Sequence, residues 1–559
     1  MSSLKKWISI LLITCGSSAC NQSIETSEIR NSATEIRVEV KRNQLLAGLK
    51  SIAASGKFIF GQQKANLAGI GEDGNAAWGA ESYGNTSDVK LYFGDEPGVL
   101  GLDVWDLATK NPTWNQSAYV QSIQDFYDNG NGGVINLEWH MRGCDTNFVT
   151  DANGISGIPG EGFYLNDWDN DSQRSCLCRI VNEEPWKDGK SWFDWLKEER
   201  LQVFVDKLKN ESLDQIPMVF RPFHEHTGSW FWWGRNSWDC EKHLGRDDVL
   251  AGEDAYKKLV RDTVNYLRKD AGLENFLIAY SPDKLCQSSG HKCDPTRTSN
   301  NELTFDDYLN DYLASYPGDE YVDILGIDLY YAADNGRPWE KFDYQTALFR
   351  QYLQVVTKLA RDKGKVAALT ETGNYNLHRE VNESSNWFSN HLLSLLSDPE
   401  ISMAYVLTWE NRRVAETEYY IPHKEHAGFQ DFLDFANDAS SLFLSEISGI
   451  YSDNFGLSAK QEPASDETPN CASPESDDDG DGWGWENSKS CRVVGSLPEV
   501  PECQNADSDP DGDGWGWENS KSCRVVSSLP KVLECQNADS DPDGDGWGWE
   551  NNQSCQVRS

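Results

Sequence analysis

The stretch "PMVFRPFHEHTGSWFWWG", residues 217–234, begins as an apolar run and ends as a polar, aromatic loop. Its first part has the β-rich composition of a buried strand. The part that follows places Arg221, His224, Glu225 and His226 beside Trp230, Trp232 and Trp233. A strand that carries a carboxylate and several rings at its C-terminal end is what a parallel α/β architecture uses to build a site, because reactive groups there collect at strand C-termini.

Runs of the same kind recur between about residues 40 and 450. They are "KFIFGQQ", "GVLGLDVWD", "GGVINLEWHM", "NFLIAYSPD", "VDILGIDLYY", "VAALTETG" and "AYVLTWEN". With "PMVFRPFHE" they make eight candidate strands. Amphipathic stretches such as "WFDWLKEERLQVFVDKLKN", "DAYKKLVRDTVNYLRKDAG" and "YQTALFRQYLQVVTKLARDKG" lie between them and read as helices. The pattern predicts a (β/α)8 TIM barrel with enlarged loops over residues 40–450. A doubly wound open sheet is the alternative, but no glycine-rich phosphate loop follows any of the strands.

The strand ends supply the chemistry. Strand 2 ends with Asp103, Trp105 and Asp106, strand 3 with His140, and strand 4 with Arg221, His224 and Glu225. Strand 5 ends near Tyr280, strand 6 with Asp328, Tyr330 and Tyr331, strand 7 with Glu371, and strand 8 with Trp409. These are carboxylates, histidines and aromatics, without a serine–histidine or cysteine–histidine pair. Glutamates on strands 4 and 7 face each other across a barrel mouth, which suits glycoside hydrolysis. One carboxylic acid protonates the departing oxygen and the other carboxylate attacks the anomeric carbon, at a separation of roughly 5–5.5 Å in a retaining enzyme. Tryptophan and tyrosine then serve as apolar platforms for sugar rings, and three tryptophans close to one glutamate are expected to dry that carboxyl. The net charge of −40 argues against nucleic acid as a partner.

"RPFHEHTGSWFWWG" resembles the acid/base motif of glycoside hydrolase family 26, best known for endo-β-1,4-mannanases. "FGQQ", "SDVK", "WHM", "YSPD", "TETG" and "YVLTW" resemble that family in the same order, over about 400 residues. The resemblance implies a retaining endo-β-1,4-mannanase acting on mannan, glucomannan or galactomannan. It makes Glu225 the general acid/base and Glu371 the nucleophile. His140 and His224 would contact the sugar at the cleavage point, Trp230 would stack on a ring, and Trp409 would line the floor. Tyr330 is placed to donate to Glu371, and Arg221 to hold a buried carboxylate. "WHMRGCDTNF", "GLDVWDL" and Glu410 in "TWENRR" depart from the family's usual pattern. They leave open a β-1,3-xylanase or mixed-linkage β-glucanase of the same family. A non-catalytic polysaccharide-binding lipoprotein is the rival from another class. A monomer needing no catalytic cofactor is expected.

Residues 1–20 read as an export signal: Lys5 and Lys6, an apolar stretch, small residues and then Cys20. This resembles a bacterial lipoprotein signal, with Cys20 lipidated and the chain anchored at the outer membrane or cell surface; Cys15 and plain secretion are the alternatives. Residues 21–39 read as linker. Cysteines fit an oxidising compartment. A Cys286–Cys293 bridge is expected, with Cys144, Cys176, Cys178 and Cys240 stapling the loops after strands 3 and 4.

After a linker at 451–470, residues 471–559 repeat with a period of 32. Each unit pairs two cysteines 20 apart around D-x-D-x-D-G-x-x-x-E. The acidic sets are Asp477, Asp479, Asp481 and Glu486; Asp509, Asp511, Asp513 and Glu518; Asp541, Asp543, Asp545 and Glu550. Alternate carboxylates before a glycine resemble the start of a calcium loop, so Ca2+ is the expected ligand, in small irregular units held by Cys471–Cys491, Cys503–Cys523 and Cys535–Cys555. "GWGWEN" also resembles a segment of small cellulose-binding modules, which gives Trp483, Trp485 and their repeats a platform role.

Overall fold

The computed structural model describes residues 22–71, 86–108, 116–128, 132–144, 174–286, 303–331, 341–375, 377, 386–412 and 419–457, and six short tail strands. For residues 22–35 and for the tail strands it describes the backbone alone. Two compact units are present, Met1–Gln461 and Glu462–Ser559.

In the first unit eight parallel strands close on themselves: β1 Phe58–Gln63, β2 Val99–Asp103, β3 Val134–Glu138, β4 Met218–Arg221, β5 Phe276–Tyr280, β6 Ile324–Tyr331, β7 Val366–Asn374 and β8 Tyr405–Thr408. Neighbours pair in chain order, and β8 returns to β1, which also pairs with β2. This is the expected (β/α)8 barrel; seven of the predicted runs contain their strands, and β7 extends one residue past its run, to Asn374. Every residue of the eight strands is buried. They face the barrel interior on one side and helices on the other, which is why they read as near-continuous apolar runs. A ninth strand, β9 Ser441–Leu442, extends the sheet outside β1.

The helix Phe342–Lys363 shows how the outer layer is held. Phe342, Phe349, Leu353, Val356 and Ala360 recur at helical spacing and are buried against the sheet. The chain leaves this helix through Gly364, whose φ of 63° favours glycine.

The expected linker at 21–39 is instead part of the helix Gln22–Ala54. Leu45, Leu49 and Ile52 are fully buried and anchor that helix, and Arg42 donates to the Glu274 carbonyl at 2.9 Å. At the other end the barrel unit runs past residue 450. Tyr451 is buried and its hydroxyl donates to the Gly133 carbonyl at 3.1 Å, so the expected linker at 451–470 begins inside the folded unit. Among the described residues no helix is long and apolar enough to cross a membrane.

In the tail, each repeat contains an antiparallel pair where irregular structure was expected. Trp483–Glu486 pairs with Lys489–Arg492, Trp515–Glu518 with Lys521–Arg524, and Trp547–Glu550 with Gln553–Gln556. The three registers are equivalent: Glu486 pairs with Lys489, Glu518 with Lys521 and Glu550 with Gln553. The alternating "WGWE" sequence favours a strand. The acidic loops from Asp477, Asp509 and Asp541, the tail cysteines Cys471, Cys503 and Cys535, Cys20 and Cys293 lie outside the described residues.

Candidate active site

Register builds the floor of the mouth. Asp103 on β2 pairs with Glu138 on β3, and Glu138 pairs with Arg221 on β4. On the opposite wall Asp328 of β6 pairs with Glu371 of β7. A row of charged side chains therefore crosses the barrel in one layer. Arg221, fully buried, is its hub. Its Nη2 donates to Glu371 Oε2 at 2.5 Å and to Glu138 Oε2 at 2.6 Å, and its Nη1 to Asp328 Oδ2 at 2.5 Å. One cation among three carboxylates leaves excess negative charge, and the layer responds by holding protons. Burial and the Glu371 charge push Glu138 well above the usual carboxylate range. Burial likewise raises Asp328 to about 8, despite Arg221.

A bulge aims Glu371. The β6–β7 register advances by one residue between Ile327/Leu369 and Asp328/Glu371, which leaves Thr370 extra. Thr370 Oγ1 lies within hydrogen-bonding distance of Asp328 Oδ1, at 2.7 Å, and of the Ile327 carbonyl, at 3.1 Å. Bulges next to active sites re-aim side chains. Tyr330 donates to Glu371 Oε1 at 2.6 Å, so both oxygens of Glu371 have donors. The pleat sends Tyr331 the other way, into the outer layer beside Phe342 and Phe349. Gly373 has no room for a side chain, since a Cβ there would meet the Tyr420 ring at 2.3 Å.

Glu225 is delivered by a strained winding after β4. Phe223 and Glu225 both have left-handed backbones, with φ of 52° and 50°. The winding is fixed from outside: Glu225 N donates to the Ser281 carbonyl, Tyr256 Oη to that of Phe223 and Trp233 Nε1 to that of His224. Trp230 is half-buried and its Nε1 donates to Glu225 Oε2 at 2.7 Å. Gly228 allows the indole to fold back, since a Cβ there would lie 2.4 Å from it. Burial, then the charges of Glu371, Asp283 and Asp328, push Glu225 well above the usual range, against the Trp230 hydrogen bond.

The three tryptophans are not equivalent, which corrects the expectation of a shared task. Trp232 and Trp233 are fully buried and donate to the carbonyls of Met141 and His224 at 2.7 Å. They pack the loop, and Trp230 alone touches Glu225.

His140, His224 and Trp409 gather beside this pair. The His140 ring centroid lies 4.8 Å from that of His224 and 6.2 Å from that of Trp409. His140 Nδ1 is 2.9 Å from Asp103 Oδ2, which fixes the ring. Burial and Arg221 push His224 well below the ordinary histidine value, so it is neutral. His226 points elsewhere, stacking on Tyr256 with centroids 3.9 Å apart. Glu138, His140 and His224 bring ligand-type atoms within 4.8 Å of one another. Hydrogen bonds account for two of them, since Arg221 and Gln63 occupy Glu138 and Asp103 occupies His140.

Two disulfides tie the flanking loops. Cys144 bonds Cys176 and Cys178 bonds Cys240, so the short "CLC" segment links the chain after β3 to the chain after β4. The four cysteines expected to staple these loops do so. The Cys286–Cys293 pairing cannot be followed past Cys286, because Cys293 lies outside the described residues.

The sequence reading named Glu225, Glu371, His140, His224, Trp230, Tyr330 and Trp409, and these come together. It passed over Glu138, and it noted Asp103 and Asp328 at strand ends without giving them a task. The available signal was a charged residue near the end of otherwise apolar runs, which register aligns as Asp103, Glu138 and Arg221 and as Asp328 and Glu371.

A closed parallel barrel with two carboxylates, a buried histidine beside a half-buried one, and half-buried tryptophans at its mouth defines the architecture of a barrel glycosidase. The family model for glycosyl hydrolase family 26 matches residues 43–398, and the chain belongs to that family. It is 29% identical to a mannan endo-1,4-β-mannosidase of Bifidobacterium adolescentis, over 78% of this chain and 37% of that protein. It is 31% identical to one of Bacillus subtilis, over 44% of this chain and 53% of that protein. The chain thus spans between about a third and a half of the length of these relatives. Among solved structures, a GH26 β-mannanase of Bacteroides ovatus superposes with a TM-score of 0.53 at 25% identity, covering 75% of this chain and 99% of that one. The catalytic domain of a GH26 endo-β-1,4-mannanase of Bacillus sp. JAMB-750 gives 0.54 at 28% identity, covering 74% and 93%.

Proposed function

We propose that the protein is a retaining endo-β-1,4-mannanase, with Glu225 as general acid/base and Glu371 as nucleophile. The observation that carries this reading is the contrast between the two carboxyls. Glu225 sits in surroundings that keep its proton, while Glu371 receives hydrogen bonds from Arg221 and Tyr330 on its two oxygens. Groups whose environments differ in this way divide acid and base roles between them. In the first step Glu371 attacks the anomeric carbon while Glu225 gives its proton to the departing oxygen. In the second, Glu225 takes a proton from water, which displaces Glu371. Arg221 and Tyr330 hold the nucleophile in position and share its charge. Neutral His224 and Asp103-braced His140 bind hydroxyls of the sugar at the cleavage point. Trp230 and Trp409 give it apolar faces.

The β-mannan substrate follows the names of the relatives. A panel of mannan, glucomannan, β-1,3-xylan and mixed-linkage glucan tests it. Preferential release of manno-oligosaccharides supports the reading, and turnover confined to another glycan replaces it with the xylanase or glucanase reading. No turnover on any glycan would favour a binding protein.

We also propose export with a lipid anchor on Cys20, and Ca2+ in the acidic tail loops. Palmitate labelling lost on Cys20→Ala tests the first. Calcium titration of the full chain against a form in which Asp477, Asp509 and Asp541 are replaced by Asn tests the second.

A further inference from the structure

The turn that carries Glu225 is held from behind, by a histidine that faces away from the mouth. Phe223 and Glu225 keep left-handed backbones, with φ of 52° and 50°. Neither is glycine, so the turn is strained and persists only where its surroundings over-determine it. His226, the residue after Glu225, is fully buried. Its ring lies flat on that of Tyr256, with centroids 3.9 Å and planes 18° apart. Tyr256, on the helix Gly252–Asn265, donates its hydroxyl to the Phe223 carbonyl at 3.0 Å. One tyrosine therefore grips both ends of the turn, the first through its hydroxyl and the last through its face.

The hydrogens around His226 have one consistent arrangement. Tyr280 Oη donates to the Tyr312 carbonyl at 2.9 Å, which uses its only O–H. It then accepts from Ser315 Oγ, 3.0 Å away, and Ser315 in turn accepts from His226 Nε2 at 2.8 Å. His226 Nδ1 is buried and has no hydrogen-bond partner among the described residues, so a proton there would be an unsatisfied donor. The ring is therefore a neutral imidazole with its one N–H on Nε2. Burial and the Arg235 charge also push His226 well below the ordinary histidine value.

His226 thus brings no charge to the mouth, and what its contacts fix is position. Ser315 follows the helix Phe305–Ala314 and Tyr280 ends β5, so the turn is fastened to three separate elements. Glu371 lies outside this socket, on β7, and takes its hydrogen bonds from Arg221 and Tyr330.

We propose that His226 and Tyr256 are positioning residues for the general acid, setting how far Glu225 reaches toward the departing oxygen. The inference rests on the glycosidase reading above. A turn released at either end would relax toward ordinary backbone angles and withdraw the carboxyl, while the attack by Glu371 would be spared.

The test compares two substrates. Mannan has a departing sugar that needs an acid, whereas the first step on an aryl β-mannobioside with a good leaving group needs none. The full-length wild type is measured beside Tyr256→Phe, His226→Phe and His226→Gln. Tyr256→Phe removes only the grip on Phe223. His226→Phe keeps a ring against Tyr256 and loses the Ser315 bond, and His226→Gln restores an N–H toward Ser315. Tyr256→Phe and His226→Phe are each expected to lose about tenfold to a hundredfold on mannan, in kcat and not in KM, the scale of a 1 Å misplacement. Their kcat/KM on the aryl substrate, which reports the first step, should stay within about threefold of wild type. His226→Gln should recover part of the loss. Tyr256→Phe changes one oxygen and decides alone if His226→Phe does not fold. An equal loss on both substrates, a loss confined to KM, or wild-type values throughout would overturn the positioning role and leave a packing contact. A wild type that cleaves neither substrate would instead overturn the underlying reading of function.

Discussion

Arg221 and Glu371 meet at 2.5 Å on the floor of the mouth, and the same guanidinium also binds Glu138 and Asp328. The orientation of Glu371, the proposed nucleophile, therefore depends on a cation supplied by the strand that also leads to Glu225, the proposed acid. Arg221→Lys keeps the charge but not the planar fork. It is expected to lower kcat at least about a hundredfold, from misplacement of the reacting carboxylate. Arg221→Met leaves three buried carboxylates without a cation and should destabilise by about 3–5 kcal/mol, as denaturant unfolding would read it.

Proton retention by the buried acids has a sign that stability measurements can check. Asp328 is raised to about 8 and Asp106 to about 6. A carboxyl raised on folding contributes stability that is complete below its unfolded value, about 3.9, and is lost as pH climbs through the folded value. Tm should fall between pH 5 and pH 8.5. Asp328→Asn should flatten the upper part of that decline.

As the proposed acid, Glu225 must carry a proton, so its deprotonation is expected to set the alkaline limb of kcat/KM. The Trp230 N–H favours the ionised form of Glu225. Trp230→Phe should therefore move the alkaline limb to higher pH while raising KM through the altered platform.

Gly228→Ala tests whether the placement of Trp230 depends on one missing methyl. The new Cβ would stand 2.4 Å from the indole, so the ring must leave Glu225. A loss of activity with a limb shift resembling that of Trp230→Phe is expected, with little change in overall fold by circular dichroism.

The disulfides close loops with sequence separations of 32 and 62 residues. Reduction should lower stability by about 3–4 kcal/mol for each bridge on the chain-entropy account. Activity should fall earlier than the barrel unfolds, because both bridges hold the loops that carry His140 and Trp230.

The strands were legible because burial on both faces demands near-continuous apolar runs, unbroken in Phe276–Tyr280 and broken only by Asp328 in Ile324–Tyr331. Glu225 and Glu371 were legible because strand ends define the mouth. The different fates of Trp230, Trp232 and Trp233 were not, since the loop's backbone and not its composition decides which ring turns outward. Glu138 was missed because it lies inside its strand, where only the register with Asp103 and Arg221 gives it meaning. The first helix was missed because its polar N-terminal half carries no apolar stripe. Its anchors, Leu45 and Leu49, lie beyond the segment read as linker.

Hydrolysis of an aryl β-mannobioside with a good leaving group, by Glu225→Ala and Glu371→Ala with and without azide, tests the central assignment most directly. An activated leaving group needs no acid, so Glu225→Ala should still release it, accumulate a covalent intermediate, and be accelerated by azide to a β-glycosyl azide. Glu371→Ala should be inactive without azide and yield the α-azide with it. Fast release by Glu371→Ala without azide, or the opposite anomer from either variant, would contradict the roles given to the two glutamates.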